Sequence, residues 1–261
     1  RCDKYIMINE YLSDIEDEFH VNITSLEELC EVLKNFIKMQ KETYHAVSLK
    51  IATAYYRSLY FENVDRQTAE AAFEKLLLSR NNGRTVAFQD VKPLSDYITH
   101  CIIREAKRHS LPVQIHTGVQ DRNVNFLGHA DPLKLNNLFA LYPDVRFNIF
   151  HTGYPFGREA GVLAKMFSNV FVDFSWVHIL SSKYAVDLLQ EYFELLPANK
   201  FCGFGGDFCN IEGAFGHLQF AKNNIASAIS GMVDKGMYSL KYGKQLARQI
   251  LYDNPKAIYH I

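Results

Sequence analysis

The sequence predicts a TIM-type (β/α) barrel, on three observations. Short β-rich runs alternate with longer amphipathic segments along 261 residues. The runs are apolar on both faces, as strands of a covered parallel sheet are. Several of them end in polar residues beside glycine, and a barrel keeps its chemistry at the C-terminal ends of its strands.

The expected strands are Tyr5–Asn9, Ala46–Ile51, Pro112–Ile115, Arg146–Phe150, Val170–Phe174 and Lys200–Gly203. Helical patterns lie between them. Ser25-Leu26-Glu27-Glu28 has capping-box spacing, and Leu29, Leu33, Phe36 and Ile37 follow on one face. Gln67–Ser79 repeats the pattern with Ala72, Phe73, Leu76 and Leu77. Asp131-Pro132 puts a capping carboxylate before a first-turn proline, and Tyr184–Leu195 and Ile225–Val233 are further helices. Parallel strands joined by helices suit a doubly wound sheet or a barrel. The chain has no GxGxxG or P-loop sequence, so the nucleotide-binding sheet gains no support.

Composition narrows the function. With 48% hydrophobic residues a sizeable core can form, and residues 1–261 suffice for a single barrel domain. The net charge of -1 argues against a nucleic-acid partner. No apolar run could span a bilayer, so no membrane partner is expected. Arg1-Cys2-Asp3-Lys4 lacks the features of a secretory signal. Five cysteines without a CxxC read as free thiols in a reducing, cytoplasmic setting. A small-molecule substrate is the expected partner, and homo-oligomerisation stays open.

Three strand ends carry metal-ligating residues. They are Val113-Gln114-Ile115-His116-Thr117-Gly118, Phe147-Asn148-Ile149-Phe150-His151-Thr152-Gly153 and Cys202-Gly203-Phe204-Gly205-Gly206-Asp207. Imidazole and carboxylate suit zinc, and also Mn²⁺ or Fe²⁺. A bound metal acidifies its water and polarises a carbonyl. Asp207 is the candidate general base as well as a metal contact. A lone histidine after a strand is more often structural, but two His-Thr-Gly sequences at successive strand ends favour a site.

These residues resemble the amidohydrolase superfamily, and more specifically the amidohydrolase-like domains found alone or fused to a glutamine-synthetase-like domain. The most specific block is His151-Thr152-Gly153-Tyr154-Pro155-Phe156, continued by Arg158-Glu159-Ala160 and Asn169-Val170-Phe171-Val172-Asp173. Leu49-Lys50 with Tyr56-Arg57 is similar to the family's fourth-strand segment, and Gln114–Gly118 to its fifth. The resemblance implies that His116, His151 and Asp207 are the metal ligands from strands five, six and eight. It implies that Lys50 is the fourth-strand lysine, which bridges metals in some relatives and contacts substrate in others; the plain alternative is a solvated lysine. The family's first-strand His-x-His is missing here. The expectation is therefore a C-terminal portion comprising strands three to eight, with two strands lying upstream.

Around this centre Arg57, Gln114, Tyr154, Asp173 and Trp176 are candidate substrate contacts. Asp121, Arg122 and His129 sit in the loop after His116, which could cover the site or merely be solvated. The expected activity is metal-dependent hydrolysis of a small polar amide, ester or lactone by a metal-activated water, with zinc as cofactor. Asp207 would move protons and His151 would orient the carbonyl. The alternatives are non-oxidative decarboxylation, uronate-type isomerisation, or a non-catalytic barrel used for binding.

Overall fold

The computed structural model describes residues 1–121 and 125–261. The chain opens on helices α1 (Asp3–Ile6), α2 (Ile8–Phe19) and α3 (Leu26–Glu42), followed by strand β1 (Leu49–Ile51). Helices α4 (Arg66–Asn81) and α5 (Phe88–Arg108) lead into β2 (Val113–Ile115). Then come α6 (Asn136–Leu141), β3 (Phe147–Ile149), α7 (Gly157–Met166) and β4 (Val170–Asp173). The chain ends with α8 (Val177–Leu180), α9 (Ser182–Leu195), β5 (Phe201–Cys202), α10 (Ile211–Asp234), α11 (Leu240–Arg248) and α12 (Asn254–Tyr259). No helix among the described residues is long and apolar enough to cross a membrane.

The strands pair in parallel in the order β1-β2-β3-β4-β5. A doubly wound sheet reverses direction at a switch point, and this one never does. Right-handed crossovers that all step the same way put every connecting helix on one face. The chain therefore forms part of a TIM-type (β/α) barrel.

Two expectations are corrected. Tyr5–Asn9 is not a strand, and the sheet has five strands where six were expected. Ile8, Leu12 and Ile15 are buried on one side of α2, and Tyr5 and Ile6 are buried in α1. A short apolar run suits a buried helix as well as a strand, and here the helical period of the following residues decides. The edge of β1 is met by the start of α1: Cys2 N–H donates to the Lys50 carbonyl at 2.9 Å, and Ala52 N–H to Asp3 Oδ1 at 2.6 Å. The capping box is present as expected, with Ser25 and Glu28 bonded reciprocally at 3.2 Å each way.

Register decides which side chains enter the barrel. Lys50 lies beside Gln114, and Gln114 beside Asn148. The flanking Leu49, Ile51, Val113, Ile115, Phe147 and Ile149 are buried apolar residues on the opposite, helix-covered face. The barrel interior is thus polar, and Asp173 joins it by accepting from Asn148 Nδ2 at 3.0 Å.

The turns after β2 and β3 interlock. Gly118 and Gly153 have φ of +67° and +65°. Thr117 Oγ1 donates to the Phe150 carbonyl at 2.7 Å, and Val119 N–H to the Tyr154 carbonyl at 2.7 Å. A Cβ on Gly118 would lie 2.3 Å from the Gly153 carbonyl carbon and 2.3 Å from the Tyr154 oxygen, closer than any real Cβ contact. Only glycine fits there.

Arg57 is the second correction of position. It does not reach the barrel mouth but is buried under α5, 2% exposed. Its guanidinium donates to Asp96 Oδ1 at 2.5 Å, Ser95 Oγ at 2.7 Å and the Ser58 and Tyr60 carbonyls at 3.0 and 2.9 Å. Phe61 stacks 4.5 Å from it. Four of its five N–H donors are engaged in this way, so Arg57 has no free fork for a substrate carboxylate.

Two stability tests follow from these contacts. Gly118→Ala is expected to cost on the order of 3–5 kcal/mol in urea unfolding, through overlap with fixed backbone. Gly83→Ala is the control: its φ is +64° with nothing within 4 Å, so only about 1 kcal/mol of backbone strain is expected. Equal losses at the two positions would show that the interlock is not tight. Arg57→Met is expected to cost about 3 kcal/mol, because Asp96 keeps only Lys92, 2.5 Å away, as its cation. Adding Asp96→Leu should restore part of that loss in the same unfolding assay, since it removes the stranded carboxylate.

Candidate metal centre

His116 and His151 follow β2 and β3 directly, and Asp207 lies in the loop after β5. His151 and Thr152 adopt left-handed backbone angles, φ +62° and +48°, which swing the imidazole over the barrel mouth. Asp207 also has positive φ, +48°. Its carbonyl accepts from Trp176 Nε1 at 2.8 Å, which ties the β5 loop to the turn after β4. His178 adds a second tie, from Nε2 to the Gly203 carbonyl at 2.8 Å.

The three side chains converge, as expected. One ligand atom from each lies within 4.8 Å of the others. His116 Nε2 is 2.8 Å from the Val119 carbonyl, and His151 Nδ1 is 2.9 Å from the Ser175 carbonyl. A carbonyl only accepts, so those nitrogens carry the protons. In a neutral ring the other nitrogen is then a bare lone pair. These two lone pairs, His116 Nδ1 and His151 Nε2, face each other at 3.0 Å. Asp207 Oδ2 lies 3.5 Å from His151 Nε2.

Burial keeps both rings neutral. It pushes each imidazole down to about 3, assisted at His116 by the neighbouring His151 and Lys50. Two neutral rings have no proton to share across the 3.0 Å gap, so their lone pairs repel unless a cation is bound between them. Two imidazole nitrogens with backbone-anchored partners and one carboxylate fit a divalent metal.

A cavity of about 330 Å³ opens at this centre, and Lys50, Gln114, His116, Trp176 and Asp207 are among its walls. Trp176 stacks on His151 with ring centroids 4.4 Å apart. Lys50 Nζ is buried, has no hydrogen-bond partner among the described residues and sits 3.1 Å from the centre of the Phe150 ring. Burial lowers it to about 8, against the pull of Asp207 and Asp173. A second cavity of about 230 Å³ shares Gln114, Phe150 and Asp207 with the first and reaches Asp173. Asp173 receives the His151 N–H at 3.3 Å and the Ser175 N–H at 3.0 Å. It is raised to about 6, chiefly by burial and against those donors.

Of the expected substrate contacts, Gln114, Trp176 and Asp173 line these cavities, while Tyr154 does not. Its ring packs edge-on against Tyr184 at 4.8 Å. Asp121 lines the larger cavity, His129 packs on Phe126 away from it, and Arg122 lies outside the described residues. Sequence reasoning missed Tyr55, whose ring lies 4.7 Å from that of His116, and the carbonyls of Val119 and Ser175. Backbone carbonyls leave no trace in residue identity. Tyr55 was detectable only as an aromatic residue soon after a strand end.

Comparison with known proteins agrees with this geometry. Residues 31–261 match the profile of the amidohydrolase family. Protein fluG of Emericella nidulans is 31% identical over 177 residues, which are 65% of this chain and 20% of that protein. A Lactobacillus casei protein assigned as a metal-dependent hydrolase superposes with a TM-score of 0.76 at 23% identity, over 95% of this chain and 62% of its own. Uronate isomerase of Thermotoga maritima superposes with a TM-score of 0.81 at 15% identity, over 98% and 60%. The chain thus spans a fifth of the curated relative and about three fifths of these solved ones. With the family profile covering nearly all of its residues, the chain belongs to the amidohydrolase family.

Proposed function

We propose that this chain carries the metal centre of a metal-dependent hydrolase acting on a small polar amide, ester or lactone, with zinc held by His116, His151 and Asp207. The observation that carries the reading is the pair of lone pairs facing each other at 3.0 Å, each ring anchored from behind by a backbone carbonyl. A divalent metal held there supplies Lewis acidity towards a carbonyl oxygen and makes water a better nucleophile at neutral pH.

The chain's own residues supply the rest. Asp207, with its side chain 35% exposed, can meet both water and substrate. It takes the proton from the attacking water and passes it to the leaving group. Trp176 and Tyr55 wall the centre and keep the imidazoles in place. Lys50 offers an unpartnered ammonium to the same cavity, which suits a substrate carboxylate or the negative charge that develops on a carbonyl oxygen.

Lys50 also supports a second reading, isomerisation of a uronate, since it would pair with the sugar acid's carboxylate. Three solved structures that share its fold are named uronate or glucuronate isomerases. The two reactions differ in their products: hydrolysis cleaves the substrate, whereas isomerisation leaves its mass unchanged.

The test measures zinc content, Tm and turnover on one preparation, against panels of N-acyl amino acids, lactones and uronates. Zinc is expected to bind stoichiometrically and to raise Tm. Asp207→Asn should lower turnover by about 10²–10⁴-fold while keeping the fold, and should weaken zinc binding. Zinc that does not bind at the three residues would overturn the metal centre. Normal turnover in Asp207→Asn with a lower Tm would assign Asp207 to the loop's structure alone. Bound zinc with no change in any substrate would favour a binding role for the barrel.

A further inference from the structure

Away from the barrel mouth, two cysteines face each other between α3 and α5. Cys30 Sγ and Cys101 Sγ are 4.0 Å apart, although 71 residues separate them in sequence. Arg104 Nη2 donates to Cys101 Sγ at 3.0 Å. Both thiols line a cleft of about 220 Å³, with Lys34, Arg66, Arg104 and Arg108 around it. Arg66 is paired with Glu27 at 2.7 Å and Arg108 with Glu105 at 3.2 Å. Arg104 instead turns a donor to sulfur. Cys30 is buried and Cys101 half-buried, whereas Cys2 and Cys202 are buried without lining this cleft and Cys209 is exposed at the mouth of the candidate metal centre.

We propose that Cys30 and Cys101 are a reversible oxidation site, a dithiol that hydrogen peroxide converts to an intramolecular disulfide joining α3 to α5. The proposal is independent of the reaction at the metal centre. Cys101 is the attacking sulfur. Either sulfur can be the donor in their contact, but Arg104 Nη2 already donates to Cys101 Sγ, which favours Cys30 as the donor. With that bond, and with Arg104 and Lys34 favouring the anion, Cys101 ionises below the ordinary thiol range despite its burial. Cys30 is shifted the other way by the same hydrogen bond and by its burial.

The chemistry closes without a further reactant. The Cys101 thiolate attacks one peroxide oxygen, the O–O bond breaks, and hydroxide leaves, giving the sulfenic acid. Cys30 then loses its proton and attacks the Cys101 sulfur. The S–O bond breaks, and the departing hydroxide takes up that proton as water. Two thiols and one peroxide become one disulfide and two waters. The sulfurs must close from 4.0 Å to about 2.05 Å.

The experiment treats the intact chain, metal-loaded and metal-free, with a small excess of hydrogen peroxide, then alkylates it and maps it by mass spectrometry. The expected result is loss of two of the five thiols, a mass decrease of about 2 Da, and a cross-linked peptide pair containing Cys30 and Cys101, all reversed by dithiothreitol. Cys30→Ser should leave the Cys101 sulfenic acid unresolved, so that dimedone traps it. Arg104→Gln should slow loss of the Cys101 thiol by at least about threefold, through a higher thiol pKa. The proposal is overturned if wild-type protein oxidises first at exposed Cys209 while Cys30 and Cys101 both remain alkylatable. It is equally overturned if Cys101 oxidises with no link to Cys30. The wild-type map decides the question even if a variant folds poorly.

Discussion

The candidate metal centre depends on the close approach of two backbone turns. Gly118 lies so near the Gly153 carbonyl that no side chain fits between them. That approach brings the ends of β2 and β3 together and presents His116 and His151 side by side. The left-handed angles of His151 and Thr152 cost free energy for residues that bear a Cβ. The turns offset it with fixed hydrogen bonds: Thr117 to the Phe150 carbonyl, and Val119 to the Tyr154 carbonyl. The Val119 carbonyl then orients the His116 ring, so one short loop both clasps its neighbour and sets a tautomer.

The barrel interior extends the same logic. Strand alternation sends Leu49, Val113 and Phe147 towards the helices and Lys50, Gln114 and Asn148 inward. Burial disfavours the charge on Lys50 and on Asp173, and each charge favours the other. Arg57, a few residues beyond Lys50, meets burial differently. It is saturated by Asp96, Ser95 and two carbonyls, and so is structural. Of these two buried cations only Lys50 keeps its charged group without a hydrogen-bond partner beside the cavity.

Much of this was legible in the sequence. The runs at 46–51, 112–115, 146–150, 170–174 and 200–203 each hold an observed strand, because the helix-covered face of a parallel strand must be apolar. His116, His151 and Asp207 were legible as candidates because each lies at or soon after such a run, and parallel strands place their ends on one side. The reading failed at Tyr5–Asn9, where five apolar-rich residues are too few to separate a strand from a buried helix. It also left α5 unassigned, although Val91, Leu94, Ile98 and Ile102 hold a helical stripe, since Pro93 interrupts the pattern within the first turns.

By itself, then, the sequence determined where the five parallel strands fall, and it singled out the three residues that converge at the candidate metal centre. These follow from periodicity and from the covalent order of the chain. The tertiary structure alone decided that Arg57 is tied to Asp96, that Tyr154 turns towards Tyr184, and which ring nitrogens carry protons. Those outcomes rest on contacts between residues far apart in sequence and on backbone carbonyls, which every residue has and which only folding aims.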